Sequence, residues 1–338
     1  RKVQYYLLPG YATGSRRFVG LADVRYKFFP LGAVPKVTVG VTAKTFDFDF
    51  NEQDDFYRKF YRVMPLLQVE LPSHSTAFWH TLNYRTLFIG REQEVRNSDG
   101  AFLGKNWKNN IIHELRYEAQ QLGLPNPYKL VFALETQEYR DDFNRPASYL
   151  RSTVEWQQKF YYQEKRKVTI RAFAGYFLVN SQRNRSVHET AFSLNPQGFN
   201  DYRFDHLFPA RSGDSDFVGR RVSQSDGGFK GAFGPAFGAS FGNSNNFLLA
   251  MNLRADLPIR FPIGIPLKPY FDVGYFDDAT PLGQNRPLNE QLVWSGGLLL
   301  EFFKGGLEFY FPLVNSKSLR DLYCQQAGGN NPSAIFCG

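Results

Sequence analysis

The sequence predicts an all-β protein, an antiparallel transmembrane β-barrel with thirteen strands visible. Apolar and polar residues alternate with a period of two along most of the chain, which is typical of strands with two different faces. The alternating runs are often about 12 to 16 residues long, whereas strands of globular proteins average about 5 or 6. A strand that crosses a membrane needs about 9–11 residues. Strand length therefore favours a membrane barrel over a soluble β-sandwich.

The composition is compatible with this class and excludes others. The chain has 338 residues, of which 43 % are hydrophobic and 17 % aromatic. No run approaches the roughly 18 apolar residues that a membrane-spanning helix needs. A barrel that alternates apolar and polar residues has the average hydropathy of a soluble protein. The net charge is +8, but the basic residues are scattered, which favours a mixed-charge surface over nucleic-acid binding.

Each predicted strand has an apolar and a polar face. In 109–119, for example, Ile111, His113 and Leu115 share one face, and Glu114 and Arg116 share the other. The predicted strands are residues 2–11, 14–29, 36–50, 57–71, 77–91, 109–121, 127–139, 147–162, 166–179, 246–261, 267–277, 291–303 and 305–314.

The links between these strands alternate in length. Short links are predicted at 30–35, 72–76, 123–127, 163–166, 262–266 and 304–306, and longer polar links at 51–56, 92–108, 140–147, 180–245 and 277–290. Outer-membrane barrels have short periplasmic turns and longer extracellular loops. The link at 12–13 is the exception, since it is short where a long one is expected. Bacterial single-chain barrels have an even number of strands, so an odd count predicts further strands beyond this sequence.

If the apolar faces contact lipid, the opposite faces line a lumen. Candidates for the lumen include Arg62, Glu114, Arg151, Arg171 and Asp272. Because the charges have both signs, we expect cross-strand pairs and a neutralised, partly filled lumen. Aromatic residues near strand ends are expected to form the interface girdles: Trp79, Trp107, Tyr128, Phe302 and Phe303 are examples.

Three motifs lie between residues 217 and 314. Residues 217–221 read Phe-Val-Gly-Arg-Arg, Leu253–Pro258 ends a predicted strand, and Phe271, Asp272 and Gly274 lie in the next strand. This stretch resembles the surface-antigen barrels of the BamA-type outer-membrane assembly superfamily. That family has a Val-Arg-Gly-Phe/Tyr loop signature, a Leu-x-x-x-x-Pro-like strand end and a Phe-x-Asp-x-Gly strand. Here the loop residues come in a different order, and the Phe is one position closer to the Asp.

The resemblance implies a site and a size. In the family the loop arginine pairs with the strand aspartate inside the lumen, which implies a pair between Arg220 or Arg221 and Asp272. The family's barrels have sixteen strands, so residues 1–314 would supply thirteen of them, with the first two and the last missing. Residues 180–245 would be the long loop that enters the lumen, and 315–338 an extracellular loop or tail.

The two cysteines, Cys324 and Cys337, both lie in that tail. No Cys/His spacing typical of a metal site is present, so we expect one disulfide that closes a terminal loop in an oxidising compartment.

No catalytic site, cofactor or metal site is predicted. His113-Glu114-Leu115-Arg116-Tyr117 begins like a zincin motif but lacks the second histidine, and it lies on a strand. Gly238–Gly242 has the Gly-x-Ser-x-Gly pattern, but it leads into a strand, whereas a nucleophile elbow leads into a helix.

The resemblance implies a protein of the bacterial outer membrane that acts in outer-membrane protein insertion or anchors a larger envelope complex. Its expected partners are outer-membrane lipid, lipopolysaccharide and other envelope proteins or lipoproteins. Two alternatives stay open. One is a porin-like or hydrophobic-solute channel. The other is the barrel of an outer-membrane metallopeptidase, because Asp226–Lys230 and residues 268–278 also resemble the barrel attached to gluzincin-type aminopeptidases.

Overall fold

In the computed structural model, thirteen long strands of the described part of the chain form one antiparallel sheet. The structure describes residues 2–13, 16–28, 36–51, 56–73, 77–97, 101–123, 125–140, 145–164, 166–181, 191–195, 226–230, 242–258, 266–277, 291–303 and 306–326. The strands of this sheet are β1 Val3–Ala12, β2 Arg17–Phe28, β3 Lys36–Asn51, β4 Phe56–Leu71, β5 Phe78–Arg96, β6 Phe102–Gln121, β7 Tyr128–Arg140, β8 Pro146–Gln163, β9 Arg166–Asn180, β12 Phe247–Ala255, β13 Leu267–Phe276, β14 Leu292–Phe302 and β15 Leu307–Asn315. Two short strands, β10 Phe192–Ser193 and β11 Asn243–Ser244, form a separate pair, and helix α1 covers Lys317–Gln326.

The strands lie in the sheet in chain order. Each strand of the sheet between β1 and β15 pairs with its neighbour on either side, and β9 pairs with β12 across the long link. Within the described ranges β1 pairs with β2 and β15 with β14, so the sheet is not closed there. The predicted all-β antiparallel class, with thirteen long strands, is confirmed. Long, consecutively paired strands are the architecture of a β-barrel.

The two faces of the sheet have opposite chemistry. Arg62, Glu114 and Arg151 are at most 3 % exposed, although they are charged. Leu115 and Met251, on the opposite face, are 41 % and 43 % exposed. We call the face with the buried charges the inner face and the other the outer face. A water-soluble sheet buries its apolar face, so this distribution is inverted.

Ion pairs neutralise the charges of the inner face. Arg85 donates to both oxygens of Glu114, at 2.8 and 3.0 Å. On the next two strands Arg151 lies 2.8 Å from Glu135, which also accepts a hydrogen bond from the Tyr149 hydroxyl at 2.7 Å. Glu114 and Glu135 are register partners, and like charges in that position repel. The two arginines compensate for this repulsion.

A second inner-face network lies toward the end of the sheet that carries the β14–β15 turn. Arg254 lies 2.8 Å from Glu308 and 3.4 Å from Glu301. Lys268 lies 2.9 Å from Glu301 and 3.0 Å from Asp256. Each ion therefore has at least one partner of opposite sign.

The predicted long link at 92–108 is wrong. β5 and β6 stay paired from Phe78↔Gln121 to Arg96↔Phe102, so only residues 97–101 connect them. These strand extensions are mostly polar and have no continuous apolar face, which made them look like a loop. They lie beyond the part of the sheet that needs an apolar face.

Two further boundaries differ from the prediction. The strand predicted at 246–261 ends at Ala255, where the Asp256 carboxylate accepts a hydrogen bond from the Lys167 backbone N–H and Pro258 cannot donate to a ladder. The tail predicted as a loop begins with α1, whose Leu319 is fully buried. No described helix is long and apolar enough to cross a membrane.

A glycine on β14 permits a bulge opposite β15. The register shifts between Gly296 and Gly297, and a Cβ added at Gly297 would lie 2.0 Å from the carbonyl oxygen of Phe311. We expect Gly297→Ala to lower the free energy of unfolding by about 1–3 kcal/mol, because backbone must move to accept the methyl group. Urea unfolding followed by tryptophan fluorescence measures it.

Gly306→Ala is the matched control, since its added Cβ would meet no atom nearer than 3.4 Å. An equal loss in both variants would contradict the steric explanation.

Candidate functional site

Three short pieces of the long link lie against the inner face. Backbone hydrogen bonds hold them together: Leu194 N–H donates to Gly242 O at 2.7 Å, Gly227 N–H to Ser193 O at 3.0 Å, and Phe229 N–H to Leu194 O at 2.9 Å. We call residues 191–195, 226–230 and 242–246 the inward anchor. These described pieces lie on the side of the sheet where the long loop is predicted, and its entry into a lumen stays a prediction.

The inward anchor is seated by apolar packing. Phe192, Leu194 and Phe229 are fully buried and join one hydrophobic cluster with side chains of the sheet and of α1. The other members are Tyr149, Phe173, Phe177, Leu248, Ala250, Phe276, Val293 and Leu319. The cluster fills the inner side of β8, β9, β12, β13 and β14, so the anchor packs as a core element.

Two glycines of the sheet make room for the anchor. A Cβ added at Gly274 would lie 2.4 Å from Leu194 Cδ2 and 2.9 Å from Phe229 Cε2. A Cβ added at Gly175 would lie 2.8 Å from the Phe192 ring. Glycine at these positions lets the anchor side chains reach the backbone of the sheet.

Three polar side chains of the sheet clamp the anchor backbone. Arg171 donates to the Asp226 carbonyl at 2.6 Å, and to the Asn252 side-chain oxygen at 3.0 Å. The Asn252 amide donates to Gly227 O at 3.0 Å and to Asp272 Oδ1 at 2.9 Å. We call Arg171, Asn252 and Asp272 the polar clamp. All three are at most 8 % exposed, so each hydrogen bond replaces one to water that burial removed.

The turn at residues 226–228, which contacts the polar clamp, contains residues with positive φ. Asp226 has a φ of 44° and Gly228 a φ of 64°. A Cβ at Gly228 would also lie 2.7 Å from Arg171 Nη1 and 2.8 Å from Asn252 Oδ1. Glycine is therefore required here for both conformation and space.

Lys230 makes a further contact between the inward anchor and the polar clamp. Its backbone N–H donates to Asp272 Oδ2 at 2.8 Å, and its ammonium donates to Gly228 O. The ammonium also lies 5.8 Å from the Tyr310 ring centre. Burial lowers the pKa of Lys230 to about 8, against the opposing influence of the Asp272 charge.

The structure gives the predicted motif residues distinct places. Asp272 and Gly274 face inward, one accepting hydrogen bonds from the anchor and the other leaving space for it. Phe271 faces outward and stacks on Trp294 at 6.0 Å between ring centres. Arg220 and Arg221 lie outside the described residues, so their pairing with Asp272 stays a prediction.

The predicted disulfide and the enzyme-like motifs have different outcomes. Cys324 belongs to the backbone of α1, but Cys337 lies outside the described residues, so the disulfide stays a prediction. His113 and Glu114 point to opposite faces of β6, and Glu114 is paired with Arg85. Of Gly238–Gly242, only Gly242 is described. The described part of the chain contains no group of three or more metal-ligating side chains.

The sequence interpretation missed Asn252 and the role of Asp226–Lys230. Asn252 is the register partner of both Arg171 and Asp272, so correct strand alignment would have placed the three side chains in one row. The signal in the loop was the Gly-Gly-Phe-Lys run itself. It was noted only for its resemblance to another kind of barrel.

Comparison with known proteins adds little to this geometry. No protein-family model and no curated protein matches the sequence. Among solved structures, the chain is similar to BamA from Haemophilus ducreyi lacking POTRA domains 1–3, at 10 % identity and a TM-score of 0.39. The match covers 94 % of this chain and 68 % of that one. The fold assignment rests on the strand pairing described above.

Space at Gly274 is expected to control whether the anchor stays seated. Gly274→Val would displace Leu194 and Phe229 and so expose the backbone at Lys230 to protease. We expect trypsin cleavage after Lys230 to be about 5-fold to 150-fold faster than in the wild type, given a loss of about 1–3 kcal/mol from overpacking. Mass spectrometry of timed digests measures the rate.

Gly123→Val is the control, because a Cβ there would meet no atom nearer than 3.7 Å. Unchanged cleavage after Lys230 in Gly274→Val would show that the anchor does not depend on this contact.

Proposed function

We propose that this chain is the membrane-spanning barrel of an outer-membrane protein of BamA-like type. It would act in the insertion and assembly of outer-membrane proteins, or anchor a larger envelope complex. Its partners would be outer-membrane lipid with lipopolysaccharide and other envelope proteins or lipoproteins. We propose no catalytic role for the chain.

The inverted sheet is the observation that carries the membrane assignment. Large apolar side chains of the outer face are exposed on every strand of the sheet: Tyr5, Phe18, Val41, Val63, Phe88, Leu115, Phe132, Val154, Tyr176, Leu249, Phe271, Leu292 and Phe311 are examples. Monomeric soluble proteins rarely expose contiguous apolar patches above a few hundred Å². Lipid is the solvent in which this face is favourable, while the paired charges stay inside.

The inward anchor supports the BamA-like type within this class. The anchor meets the sheet at Asp272 and Gly274, two residues of the motif on which the resemblance rests. A loop fixed to that strand by an apolar seat and a polar clamp is suited to holding a barrel in one state. It is less suited to forming an open solute path.

Two leucines on one strand provide a test of membrane insertion. Leu115 and Leu103 both face outward on β6, but Leu103 lies twelve positions closer to the β5–β6 link, where the strand is mostly polar. We expect Leu115→Arg to destabilise the chain folded into liposomes by about 2–4 kcal/mol, and Leu103→Arg by about 0–1 kcal/mol. Titration with urea, followed by the shift of the unheated band on SDS gels, measures both.

Equal effects of the two substitutions would contradict a lipid-facing band at Leu115. Failure of the wild-type chain to fold into liposomes would contradict the proposal as a whole.

The channel alternative predicts a different electrical behaviour. Because the inner side of β8–β14 is filled by the hydrophobic cluster, we expect the chain in a planar bilayer to show conductance near zero. A steady, large conductance would favour a porin-like or solute channel. Gly297→Ala serves as a folding control, since it weakens the sheet without touching the anchor.

A double-mutant cycle tests the family-like arginine–aspartate pair. We expect either Arg220→Ala or Arg221→Ala to couple to Asp272→Ala by about 0.5–3 kcal/mol in unfolding free energy, as residues in contact do. Arg211→Ala, from the same loop, should show no coupling. Coupling within error of zero for both arginines would contradict the pair, though not the barrel.

A further inference from the structure

A polar cluster interrupts the apolar outer face on β5 and β6. The Tyr84 hydroxyl lies 3.0 Å from His113 Nδ1, and the Thr86 hydroxyl lies 3.1 Å from the same atom. Thr86 also donates to the Tyr84 hydroxyl at 3.5 Å, and the Tyr84 and His113 rings are nearly parallel, at 11°. The cluster is therefore an ordered network.

The surroundings of the cluster are mostly apolar. Its neighbours on β5 and β6 include four exposed hydrophobic side chains: Leu82, Phe88, Ile111 and Leu115. On β7 the register partner of His113 is Thr136, which is exposed and polar. A polar or ionisable side chain within lipid is expensive and by default indicates a function. The hydrophobic neighbours do not cover the cluster, because each of them is more than a third exposed.

The depth of the cluster follows from the register. Tyr61, Gly90 and Asn109 form one row across β4, β5 and β6, in which the Tyr61 hydroxyl donates to Asn109 at 2.9 Å. Trp107 packs on the Tyr61 ring at 5.2 Å. Such amphipathic aromatic residues lie at headgroup level in membrane proteins. This row therefore marks one interface.

Thr86 and His113 form a row four residues further along the same two strands. With a rise of about 3.4 Å per residue and a tilt of about 40°, they lie roughly 10 Å below the aromatic row. The headgroup region of one leaflet is about 5–7 Å thick, so the cluster lies just inside the hydrocarbon. Water and headgroups do not reach it easily.

One nitrogen of the cluster is available to a ligand. Both hydrogen bonds that the described residues make to the His113 ring involve Nδ1 and none involves Nε2. In one neutral tautomer Nε2 donates a hydrogen bond and in the other it accepts one, so it can bond a hydroxyl group in either state. The imidazole is exposed on the outer face, so Nε2 is open to a group in the membrane.

We propose that Tyr84, Thr86 and His113 form a binding site for a lipid with a hydroxylated acyl chain. The inference rests on the membrane-spanning barrel proposed above. A hydroxyl near the carbonyl end of an acyl chain lies a few carbon atoms below the headgroup, which is the depth of the cluster. The hydroxyl forms a hydrogen bond with His113 Nε2, as donor or acceptor according to the tautomer, while the chain packs on Ile111 and Leu115.

A lipid fits this surface better than a second polypeptide. The cluster consists of three side chains among mostly apolar residues of the sheet, with Thr136 as its polar neighbour on β7. A single hydrogen bond with flanking alkyl contacts is what one acyl chain can supply.

The test uses the full chain in nanodiscs that contain equal amounts of an N-(3-hydroxyacyl)glucosamine lipid and the same lipid without the hydroxyl. Native mass spectrometry counts each lipid retained. We expect the wild type to retain the hydroxylated lipid in about fivefold preference, the value of one net hydrogen bond. His113→Phe should show no preference.

His80→Phe is the matched control. His80 also faces outward on β5 and bonds a tyrosine, with Nδ1 2.8 Å from the Tyr117 hydroxyl, but it lies near the other end of the apolar band beside Phe78. Its substitution should leave the fivefold preference intact. Loss of preference in both histidine variants, or absence of preference in the wild type, would overturn the proposal.

Photocross-linking tells the two kinds of occupant apart. A benzophenone amino acid in place of Ile111, in native membranes, should form a lipid adduct, and a polypeptide adduct would overturn the lipid assignment. Insertion of the wild type into nanodiscs is scored separately by its unheated gel band. A chain that inserts but shows no lipid preference refutes this inference alone, whereas a chain that does not insert refutes the proposed barrel.

Discussion

The continuous backbone ladder is the constraint on which the rest of this structure depends. Strands β2 to β9 and β12 to β14 each pair on both sides, so the peptide groups of the sheet are satisfied without water. Only with that ladder in place can one face be covered with exposed valine, leucine and phenylalanine. The charges then have to lie on the other face, where cross-strand partners such as Arg85 and Glu114 neutralise them.

The inner face has an apolar region as well as ion pairs. On β8–β14 it changes from ion pairs to an apolar seat, and this is where three pieces of the long link are bound. The polar clamp lies at the edge of that seat, so Arg171, Asn252 and Asp272 stay buried only while the anchor backbone is present to accept or donate. The anchor and its site therefore stabilise each other, as in a protein core.

Strand number, face and most boundaries could be predicted because each depends on local periodicity. The prediction of strand ends failed where the polarity of a residue did not indicate whether it lies in the sheet. Residues 92–96 and 102–108 are mostly polar yet stay paired, since beyond the apolar band nothing requires alternation. Helix α1 was missed because its stability depends on one buried leucine, Leu319, which packs against the sheet. It does not depend on a periodic apolar stripe.

The sequence by itself determined that this chain forms long antiparallel strands with one apolar and one charged face, because a period of two is written into every strand. It also marked Asp272 and Gly274 through their motif. Only the tertiary structure decided what those residues contact. Asn252 and Gly228 lie 24 positions apart, and Leu194 and Gly274 lie 80 positions apart, and such pairs meet only when register and loop docking bring them together. Periodicity acts within one strand, whereas a binding surface depends on the alignment of several.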